Sequence, residues 1–343
     1  MICRKSEDGY FMTLQEIATL AGVSQATVSL VLNNKPGVGA EKREQIRALL
    51  EKYEYEPQRA SNPSVITKGL LFLKYVRSGR IVEENTGFIA TILDSIGAEC
   101  QRRKYPLRIE TSQSDLETTL KNIDYSLLDG ILVLGTEMDA SHFELLKTIP
   151  IPYIVIDNRM PDCPCNAITM NNWEMVRTAV RALADKGFER IGYFKGLYPP
   201  QNFLDREAGM EQACRAYGLT QEPGDVFELT PTLLGSYADM KTFLEAGRKL
   251  PPCAFADNDI IALGAMKAII EMGYSIPDDI SIIGFDDIIF SAANAPALST
   301  MQVAKETIGE QAVRTLVSNI NNPDLMHCKQ YIGGRLILRE STK

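Results

Sequence analysis

The sequence predicts an all-α helix-turn-helix head followed by an α/β core of two lobes, like a periplasmic binding protein. Each lobe would hold a parallel sheet with helices on both faces. Two short apolar stripes of helical spacing flank a single glycine between residues 13 and 33. After residue 69, short apolar runs alternate with longer amphipathic stretches, which is typical of a helix-covered parallel sheet. The 343 residues exceed one typical core and suit two or three compact units.

The head is expected at residues 13–56, after a loose polar arm at 1–12. In TLQEIATLAGVSQATVSLVLN the first stripe ends at Gly22, which supplies the positive φ of a tight turn, and Ser24 can cap the second helix. A third helix, at about 40–53, would close a small core over the first two. The second helix of such a unit reads the DNA major groove. An ordinary helical hairpin fits the same pattern, so the pattern alone leaves both roles open.

The core is expected from residue 70 to residue 343, after a linker at 57–69. The predicted strands are 70–75, 107–110, 130–134, 153–156, 190–194, 226–229, 254–256 and 280–283. The predicted helices are 87–103, 115–123, 173–186, 205–217, 237–245, 260–272 and 305–319. Alternating β and α units of this length favour two successive parallel sheets, and thus two similar lobes.

The charge balance excludes a protein that coats nucleic acid without selectivity. The chain has a net charge of −8. Residues 1–60 contain eight basic and eight acidic residues, so the head itself is neutral. Because contacts to phosphate groups normally supply much of the affinity for DNA, we expect modest non-specific binding.

The remaining composition indicates a cytoplasmic protein that is not an enzyme. Seven scattered cysteines are typical of reduced thiols, no apolar run is long enough to span a membrane, and the first residues lack the apolar segment of an export signal. Cys163 and Cys165 are the one close pair and the sequence has two histidines, so we expect neither a metal site nor a cofactor. Catalytic motifs are absent, and the adjacent Asp286 and Asp287 would point in different directions after a strand.

The sequence resembles the LacI/GalR family of bacterial repressors along nearly its whole length. AGVSQATVSLVLN, followed by Val38, Arg43 and YEYEPQRA, is similar to the head of that family. The family's core signatures follow in order: DGILVLG at 129–135, VID at 155–157, FLDREAG at 203–209, DNDIIALGAM at 257–266 and IIGFDD at 282–287. The resemblance extends from Thr13 to Arg339.

The resemblance implies a transcriptional regulator, most simply a repressor, that binds a near-palindromic operator as a homodimer. A small polar effector, a sugar or sugar phosphate, would bind between the lobes and change the spacing of the two heads. The chain would cross between lobes near 165, 293 and 327, so that lobe one is 70–164 with 294–326 and lobe two is 165–293 with 327–343. A ligand receptor with a degenerate head and a nucleoside- or purine-responsive regulator remain alternatives.

The resemblance also assigns residues to DNA contact. Gln25 can pair with adenine and Ala26 can touch a thymine methyl group, whereas Leu30 replaces the polar or basic residue that is usual in the family. Short polar side chains and one arginine would position phosphates. The expected DNA-binding residues are Thr13, Ser24, Gln25, Ala26, Thr27, Ser29, Leu30, Asn33 and Arg43.

In the linker, the family's hinge helix places a leucine in the minor groove. Here Pro63 falls midway along that helix and Ser64 takes the place of the leucine. A flexible tether, or a shorter helix that starts at Pro63 with Val65 or Ile66 as the wedge, fits this sequence.

Ligand contacts are expected beyond the carboxyl ends of the strands, the usual place in open α/β sheets. Carboxylates and amides recognise hydroxyl groups, arginine supplies a planar set of donors, and an aromatic ring can stack on a sugar. The expected effector-binding residues are Phe88, Asp157, Arg206, Tyr237, Asn258 and Asp286. Asp259 is expected to cap the helix at 260–272 instead.

Overall fold

The computed structural model describes residues 13–32, 36–53, 68–77, 85–113 and 115–343. The predicted arm, Asn33 and linker residues 57–67, which include Pro63, lie outside the described residues. The chain divides into two compact units, Met1–Val65 and Ile66–Lys343. None of the helices in the described part is long and apolar enough to cross a bilayer.

The first unit has the three predicted helices, α1 (Leu14–Ala21), α2 (Gln25–Leu32) and α3 (Ala40–Lys52). Thr13 caps α1 in a reciprocal capping box with Glu16. Gly22 ends α1 with φ +63°, as the turn requires. One apolar side of each helix closes the small core, which consists of Ile17, Ala18, Ala21, Val28, Val31 and Ile46.

The first lobe of the second unit holds a six-stranded parallel sheet. Its strands are β1 (Gly69–Val76), β2 (Leu107–Gln113), β3 (Leu128–Leu134), β4 (Tyr153–Ile156), β5 (Ala167–Met170) and β11 (Lys329–Ile332), in the order β11-β5-β4-β3-β1-β2. Its helices are α4 (Thr86–Arg102), α5 (Leu116–Asn122), α6 (Phe143–Leu146) and α12 (Lys305–Asn321). Alternate residues of β1 pack on opposite faces, Leu70 with α4 and α12 and Leu71 with α5 and α6, so both faces are covered.

The second lobe repeats this architecture. Its strands are β6 (Gly192–Gly196), β7 (Val226–Leu229), β8 (Cys253–Ala256), β9 (Ser281–Asp286), β10 (Ser299–Val303) and β12 (Gly334–Ile337), in the order β12-β10-β9-β8-β6-β7. Its helices are α7 (Asn172–Asp185), α8 (Gln201–Tyr217), α9 (Leu233–Glu245), α10 (Asp259–Glu271) and α11 (Ile289–Ala293). β12 pairs antiparallel with β10, whereas the other pairings are parallel.

The predicted crossings between the lobes were wrong, because four strands were not recognised. β5 still belongs to the first sheet and β10 still belongs to the second, so the chain crosses near residues 171 and 304 instead of 165 and 293. The third crossing lies at Gly333, between β11 and β12, and not at 327. Lobe one is therefore 69–170 with 305–332. These strands are four or five residues long, and β10, β11 and β12 mix polar with apolar residues, so they lack a clear strand pattern.

Two helices also begin earlier than predicted. α8 starts at Gln201, directly after Pro200, and α9 starts at Leu233, each four residues before the predicted start. The first turn of α8 follows the carboxyl end of β6 and brings Asn202 and Phe203 to the interior between the lobes.

We expect Gly264→Ala to lower the free energy of unfolding of the core by about 1–3 kcal/mol. A Cβ atom on Gly264 in α10 would lie 2.5 Å from the carbonyl oxygen of Leu233 and would also overlap Ser236 of α9. Urea denaturation followed by circular dichroism measures this change. Gly97→Ala in α4 is the matched control, since its Cβ meets no atom within 4 Å and alanine favours the helix. Equal effects of the two substitutions would contradict the proposed close packing of α9 on α10.

Candidate functional site

The amino-terminal turn of α2 lies at the surface of the head. Gln25 and Ala26 are exposed, as the prediction of base contacts requires. Ser24 caps α2, because its Oγ accepts a hydrogen bond of 3.2 Å from the N–H of Thr27. The Gln25 Nε2 donates to Oε1 of Gln15 at 2.7 Å, so α1 fixes the direction of this side chain. The head therefore presents an amide side chain at the helix end that meets base edges in this motif.

The other residues predicted to contact DNA differ in their exposure and in whether their polar groups already serve the fold. Thr13 is exposed, but its hydroxyl group serves the capping box of α1. Four residues are half-buried: Thr27, Ser29, Leu30 and Arg43. Leu30 points toward the turn at Gly37, where a Cβ on that glycine would lie 3.7 Å from the Leu30 Cδ1. Leu30 therefore packs partly within the head, which suits an apolar side chain at this position.

A polar cavity lies between the two lobes at the carboxyl ends of their strands. The space among its lining residues, including the part that is open to solvent, is about 280 Å³. Five of the six predicted effector residues line it, namely Phe88, Asp157, Arg206, Asn258 and Asp286. The remaining lining residues are Asn85, Thr136, Met170, Pro200, Asn202 and Phe203. Both lobes contribute, so a molecule in this cavity would touch both.

Arg206 is the buried cation of the cavity, with an exposed fraction of 2%. Its Nε donates to Oδ1 of Asn172 at 2.9 Å, and Nη1 donates to the main-chain carbonyl of Asp257. The guanidinium lies 3.7 Å from the ring centroid of Phe285, and Nη2 lies 3.7 Å from Oδ1 of Asp286. These contacts fix the plane of the guanidinium at the wall of the cavity.

Asp157 follows β4 directly and has φ +63°. Its Oδ2 accepts a hydrogen bond of 2.6 Å from Thr136, and its Oδ1 accepts one of 2.9 Å from Asn202 on α8 of the other lobe. Burial raises the pKa of Asp157 to about 6, against the lowering effects of Thr136 and Arg206. This carboxylate thus joins the lobes while it faces the cavity.

Asp286 ends β9 with φ +115° and is followed by Asp287 with φ +51°. Its Oδ2 accepts a hydrogen bond of 2.9 Å from Asn85, which precedes α4 in the first lobe. Lys305 of α12 donates to the main-chain carbonyl of Asp286 at 2.6 Å and to that of Asp287 at 3.1 Å. Burial raises the pKa of Asp286, while Arg206 and Lys305 lower it. Two elements of the first lobe therefore hold this strand end.

Asn258, and not Asp259 as predicted, caps the amino-terminal end of α10. Asn258 is the N-cap of α10, since its Oδ1 accepts from the N–H of Ile261 at 2.9 Å, and it also lines the cavity. Asp259 is already inside the helix and fully buried, where it accepts hydrogen bonds from Thr300, Ser291 and the N–H of Ile288. The prediction that Asp259 caps the helix was therefore wrong, because α10 begins one residue earlier than expected.

Tyr237 does not line the cavity, so the structure gives no support to its predicted ligand contact. It lies on α9, and its hydroxyl group donates to Oε2 of Glu271 at 2.6 Å. Lys267 of α10 lies 5.1 Å from its ring centroid. The earlier start of α9 moves Tyr237 into the second turn of the helix, where it packs against α10 instead of the cleft.

Asp257 is a buried carboxylate beside the cavity that sequence reasoning missed. It accepts hydrogen bonds from the hydroxyl of Tyr193 at 2.5 Å and from the N–H of Gly196 at 2.7 Å. Burial raises the pKa of Asp257 to about 7, and burial together with the charge of Asp286 raises that of Asp259 to about 7. The two carboxylates hold protons at a pH where an exposed aspartate is ionised.

Some of the cavity-lining residues that the sequence analysis did not predict occupy positions in the sequence that could have indicated them. Thr136 lies two residues after β3, beyond the carboxyl end of a strand, so the rule that predicts Asp157 directly after β4 also covers Thr136. Asn202 and Phe203 precede Arg206 within one turn of the same helix. Asn85 and Met170 have no such signal, because the first precedes a helix in the other lobe and the second ends an unrecognised strand.

Comparison with known proteins identifies two family descriptions in the chain. Residues 13–58 match bacterial regulatory proteins of the lacI family, and residues 180–342 match a periplasmic binding protein-like domain. The chain is 30% identical to the HTH-type transcriptional repressor PurR of Haemophilus influenzae (strain PittEE) over 340 residues, covering 96% of this chain and 98% of that protein.

Two further comparisons agree with these. The ribose operon repressor of Haemophilus influenzae (strain ATCC 51907 / DSM 11121 / KW20 / Rd) is 29% identical over 334 residues, with coverage of 96% and 98%. The fold matches the lac repressor dimer bound to operator and the anti-inducer ONPF, with a TM-score of 0.71, 22% identity and coverage of 97% and 99%.

We expect the free energy of unfolding of the core to fall by about 1–3 kcal/mol from pH 6 to pH 8. Asp257 and Asp259 have a raised pKa of about 7 in the folded protein, so the folded state binds more protons than the unfolded state in this range. Stability must then decrease as the pH rises. Urea denaturation at pH 6, 7 and 8 measures the slope.

Single substitutions test whether this dependence of stability on pH comes from Asp257 and Asp259. Asp257→Asn should flatten the pH dependence by about half, because one of the two protons is no longer taken up. Asp225→Asn is the control, since the pKa of Asp225 is lowered and this group does not titrate between pH 6 and pH 8. Stability that rises over this interval would contradict the assignment.

Gly22→Ala should reduce the protection of the head against amide hydrogen exchange by about tenfold, which is about 1.4 kcal/mol. Alanine is strained at φ +63°, although a Cβ there would meet no atom within 4 Å. Exchange followed by mass spectrometry reports residues 14–32 separately from the core. Peptides from α10 should be unchanged, and full protection of the head would show that the turn tolerates a side chain.

Proposed function

This chain belongs to the lacI family of bacterial regulatory proteins, and on that premise we propose that it represses transcription by binding a near-palindromic operator as a homodimer. A small polar ligand in the cavity between the lobes controls this binding. The observation that carries the proposal is the exposed amino-terminal turn of α2, with Gln25 directed by Gln15, on the same chain as an enclosed polar cleft.

Gln25 is the residue of the head best placed to read a base. A glutamine side chain can donate to and accept from adenine in the major groove at the same time. Ala26, exposed beside it, offers an apolar surface for a thymine methyl group. The exposed Ser24 and the N–H groups at the start of α2 suit phosphate positioning. Arg43 on α3 is the cation assigned to phosphate.

A dimer provides the two heads that a near-palindromic operator requires. The second lobe exposes large apolar side chains, with exposed fractions of 79% for Ile289 and 64% for Phe290 on α11 and 75% for Leu234 on α9. Exposed apolar side chains of this size are typical of protein interfaces. We propose that these side chains take part in the subunit contact. We also propose that the protein acts in the bacterial cytoplasm, where operator DNA lies.

The ligand controls DNA binding through the arrangement of the lobes. Two hydrogen bonds at the cavity wall connect the lobes: Asn202 of lobe two donates to Asp157 of lobe one, and Asn85 of lobe one donates to Asp286 of lobe two. A ligand that binds these groups more tightly in one lobe arrangement than in another shifts the equilibrium between them. Its class is a sugar or sugar phosphate, the alternative being a nucleoside or purine. A ligand receptor without DNA binding is the competing function, and the intact capping and turn geometry of the head argues against it.

The proposal is tested first by selecting DNA fragments that the full chain binds from a random library. A sequence-specific regulator enriches one motif with two related half-sites, whereas a degenerate head enriches none.

Gln25→Ala should then weaken binding to the selected operator about 5- to 150-fold, with an unchanged dependence of affinity on salt, because a base contact and not a phosphate contact is lost. Fluorescence anisotropy at several salt concentrations measures both quantities. Gln212→Ala, at an exposed position of α8, is the matched control and should bind the operator normally. Undiminished operator binding by Gln25→Ala would remove Gln25 from the interface.

A further inference from the structure

The cavity between the lobes is more acidic than basic. Asp157, Asp286 and Arg206 are its charged lining residues, and each has an exposed fraction of 2% or 3%. Two more buried aspartates, Asp257 and Asp259, lie behind the wall, but their pKa of about 7 leaves them partly protonated, so they add little negative charge. Lys305 is a second buried cation, and it lies beside the cavity without lining it. An anionic ligand would therefore meet two lining carboxylates and one lining guanidinium, where water screens little.

Both cations are largely occupied by the protein. Arg206 donates from Nε to Asn172 and from Nη1 to the carbonyl of Asp257. Its Nη2 is 3.7 Å from a carboxylate oxygen of Asp286 and 3.9 Å from the sulfur of Met170, so it is the group that can turn to a ligand. The ammonium of Lys305 donates to two main-chain carbonyls. A phosphate group would thus find one nitrogen of one guanidinium, and not the paired donors that phosphate sites use.

The carboxylates, in contrast, retain acceptor capacity. A carboxylate offers about four lone-pair positions. Asp157 accepts from Thr136 and Asn202, and Asp286 accepts from Asn85 on Oδ2. Both groups are buried, so their charged forms are removed from water, and this burial raises the pKa of each. Hydroxyl groups of a ligand would supply the missing donors.

The rest of the wall suits a small ring. Phe88 and Phe203 have exposed fractions of only 2% and 3%, and they line the cavity together with Met170 and Pro200. Aromatic rings can contact the apolar face of a sugar. Eleven residues of both lobes converge on this cavity, so the space between them is small. A molecule with one small ring, such as a monosaccharide, is therefore favoured.

We propose that the effector is an uncharged, hydroxyl-rich molecule of monosaccharide size, and that Asp157 and Asp286 exclude ligands that carry phosphate or carboxylate groups. This inference rests on the proposed function, since it concerns the same cleft, and it narrows the ligand class from sugar or sugar phosphate to the uncharged sugar.

One feature of the cleft favours anions and defines the test. α8 begins at the cavity after Pro200 without a side-chain cap, and free N–H groups at a helix start attract phosphate. Asn202 in that first turn, however, donates to both the carbonyl and the carboxylate of Asp157 at 2.9 Å. The negative charge of Asp157 therefore lies next to the N–H groups that a phosphate would need.

The experiment compares matched pairs of ligands on the full chain by thermal shift and calorimetry. The pairs are D-ribose with ribose 5-phosphate, D-glucose with glucose 6-phosphate, and D-galactose with galactose 6-phosphate, and the panel also holds adenosine, adenine and guanine. A ligand that binds the native state alone raises its Tm. We expect one or more uncharged sugars to bind and the matching phosphate ester to bind at least about 100-fold more weakly.

Three outcomes would overturn the inference. A phosphate ester that binds as tightly as its sugar contradicts the exclusion of anions. A purine base or nucleoside that binds more tightly than every sugar contradicts the ligand class. Failure of all three uncharged sugars to bind at concentrations up to about 10 mM also contradicts it.

Variants test the two aspartates directly. Asp157→Asn should weaken binding of the uncharged sugar about tenfold and reduce its preference over the phosphate ester to less than about tenfold, because the repelling charge is removed. Asp286→Asn provides a second variant if the first does not fold. Asp185→Asn, an exposed residue at the end of α7, changes the net charge equally and should leave the preference unchanged. A preference that survives both cavity variants removes these residues from charge selection.

Selection of DNA by the same protein separates this inference from the function on which it rests. A chain that prefers the uncharged sugar but enriches no DNA motif contradicts the proposed function alone. A chain that enriches an operator but prefers the phosphate ester contradicts only the ligand class.

Discussion

The core depends on one buried guanidinium between its two lobes. A cation removed from water must be compensated by hydrogen-bond acceptors and opposite charge, or the desolvation penalty is not offset. Arg206 obtains these from Asn172, from the carbonyl of Asp257 and from the nearby carboxylate of Asp286, while its face rests on Phe285. These partners come from the carboxyl ends of two strands and from the first residue of α7, so the position of Arg206 requires that the two strands end, and α7 begins, at the same edge of the second lobe.

The same requirement explains the strained backbone around the cavity. Asp157, Asp286 and Asp287 all have positive φ, which costs free energy for residues other than glycine. Each follows or ends a strand and turns its carboxylate into a network: Asp157 to Thr136 and Asn202, Asp286 to Asn85, and Asp287 to Gln302 and Arg339. The hydrogen bonds hold these conformations in place. Strain of this kind is concentrated at binding sites, where it positions polar groups in advance.

Contacts between the lobes surround the cavity instead of filling it. Outside the cavity lining, Arg159 after β4 donates to both carboxylate oxygens of Asp205 on α8, at 2.9 and 2.8 Å, and Lys305 of α12 binds the end of β9. A ligand in the cavity would therefore act on groups that already join the lobes. Its binding can change the balance between lobe arrangements without any new element of structure, which is the physical requirement for control of the heads.

The sequence alone determined the helix-turn-helix head, the two-lobed α/β class and eight of the twelve strands in the described residues, because these depend on local periodicity. Through signatures at strand ends it also led to five residues that line the cavity. It did not determine where the chain crosses between lobes, since β5, β10, β11 and β12 are short and take their form from pairing with distant strands. It also misplaced Tyr237 and Asp259, because one residue or one turn of error at a helix start changes which side chains reach the cleft. The tertiary structure alone decided the balance of charge in the cavity. The burial that raises the pKa of Asp257 and Asp259, and the hydrogen bonds that occupy Nε and Nη1 of Arg206, arise from packing between elements far apart in sequence.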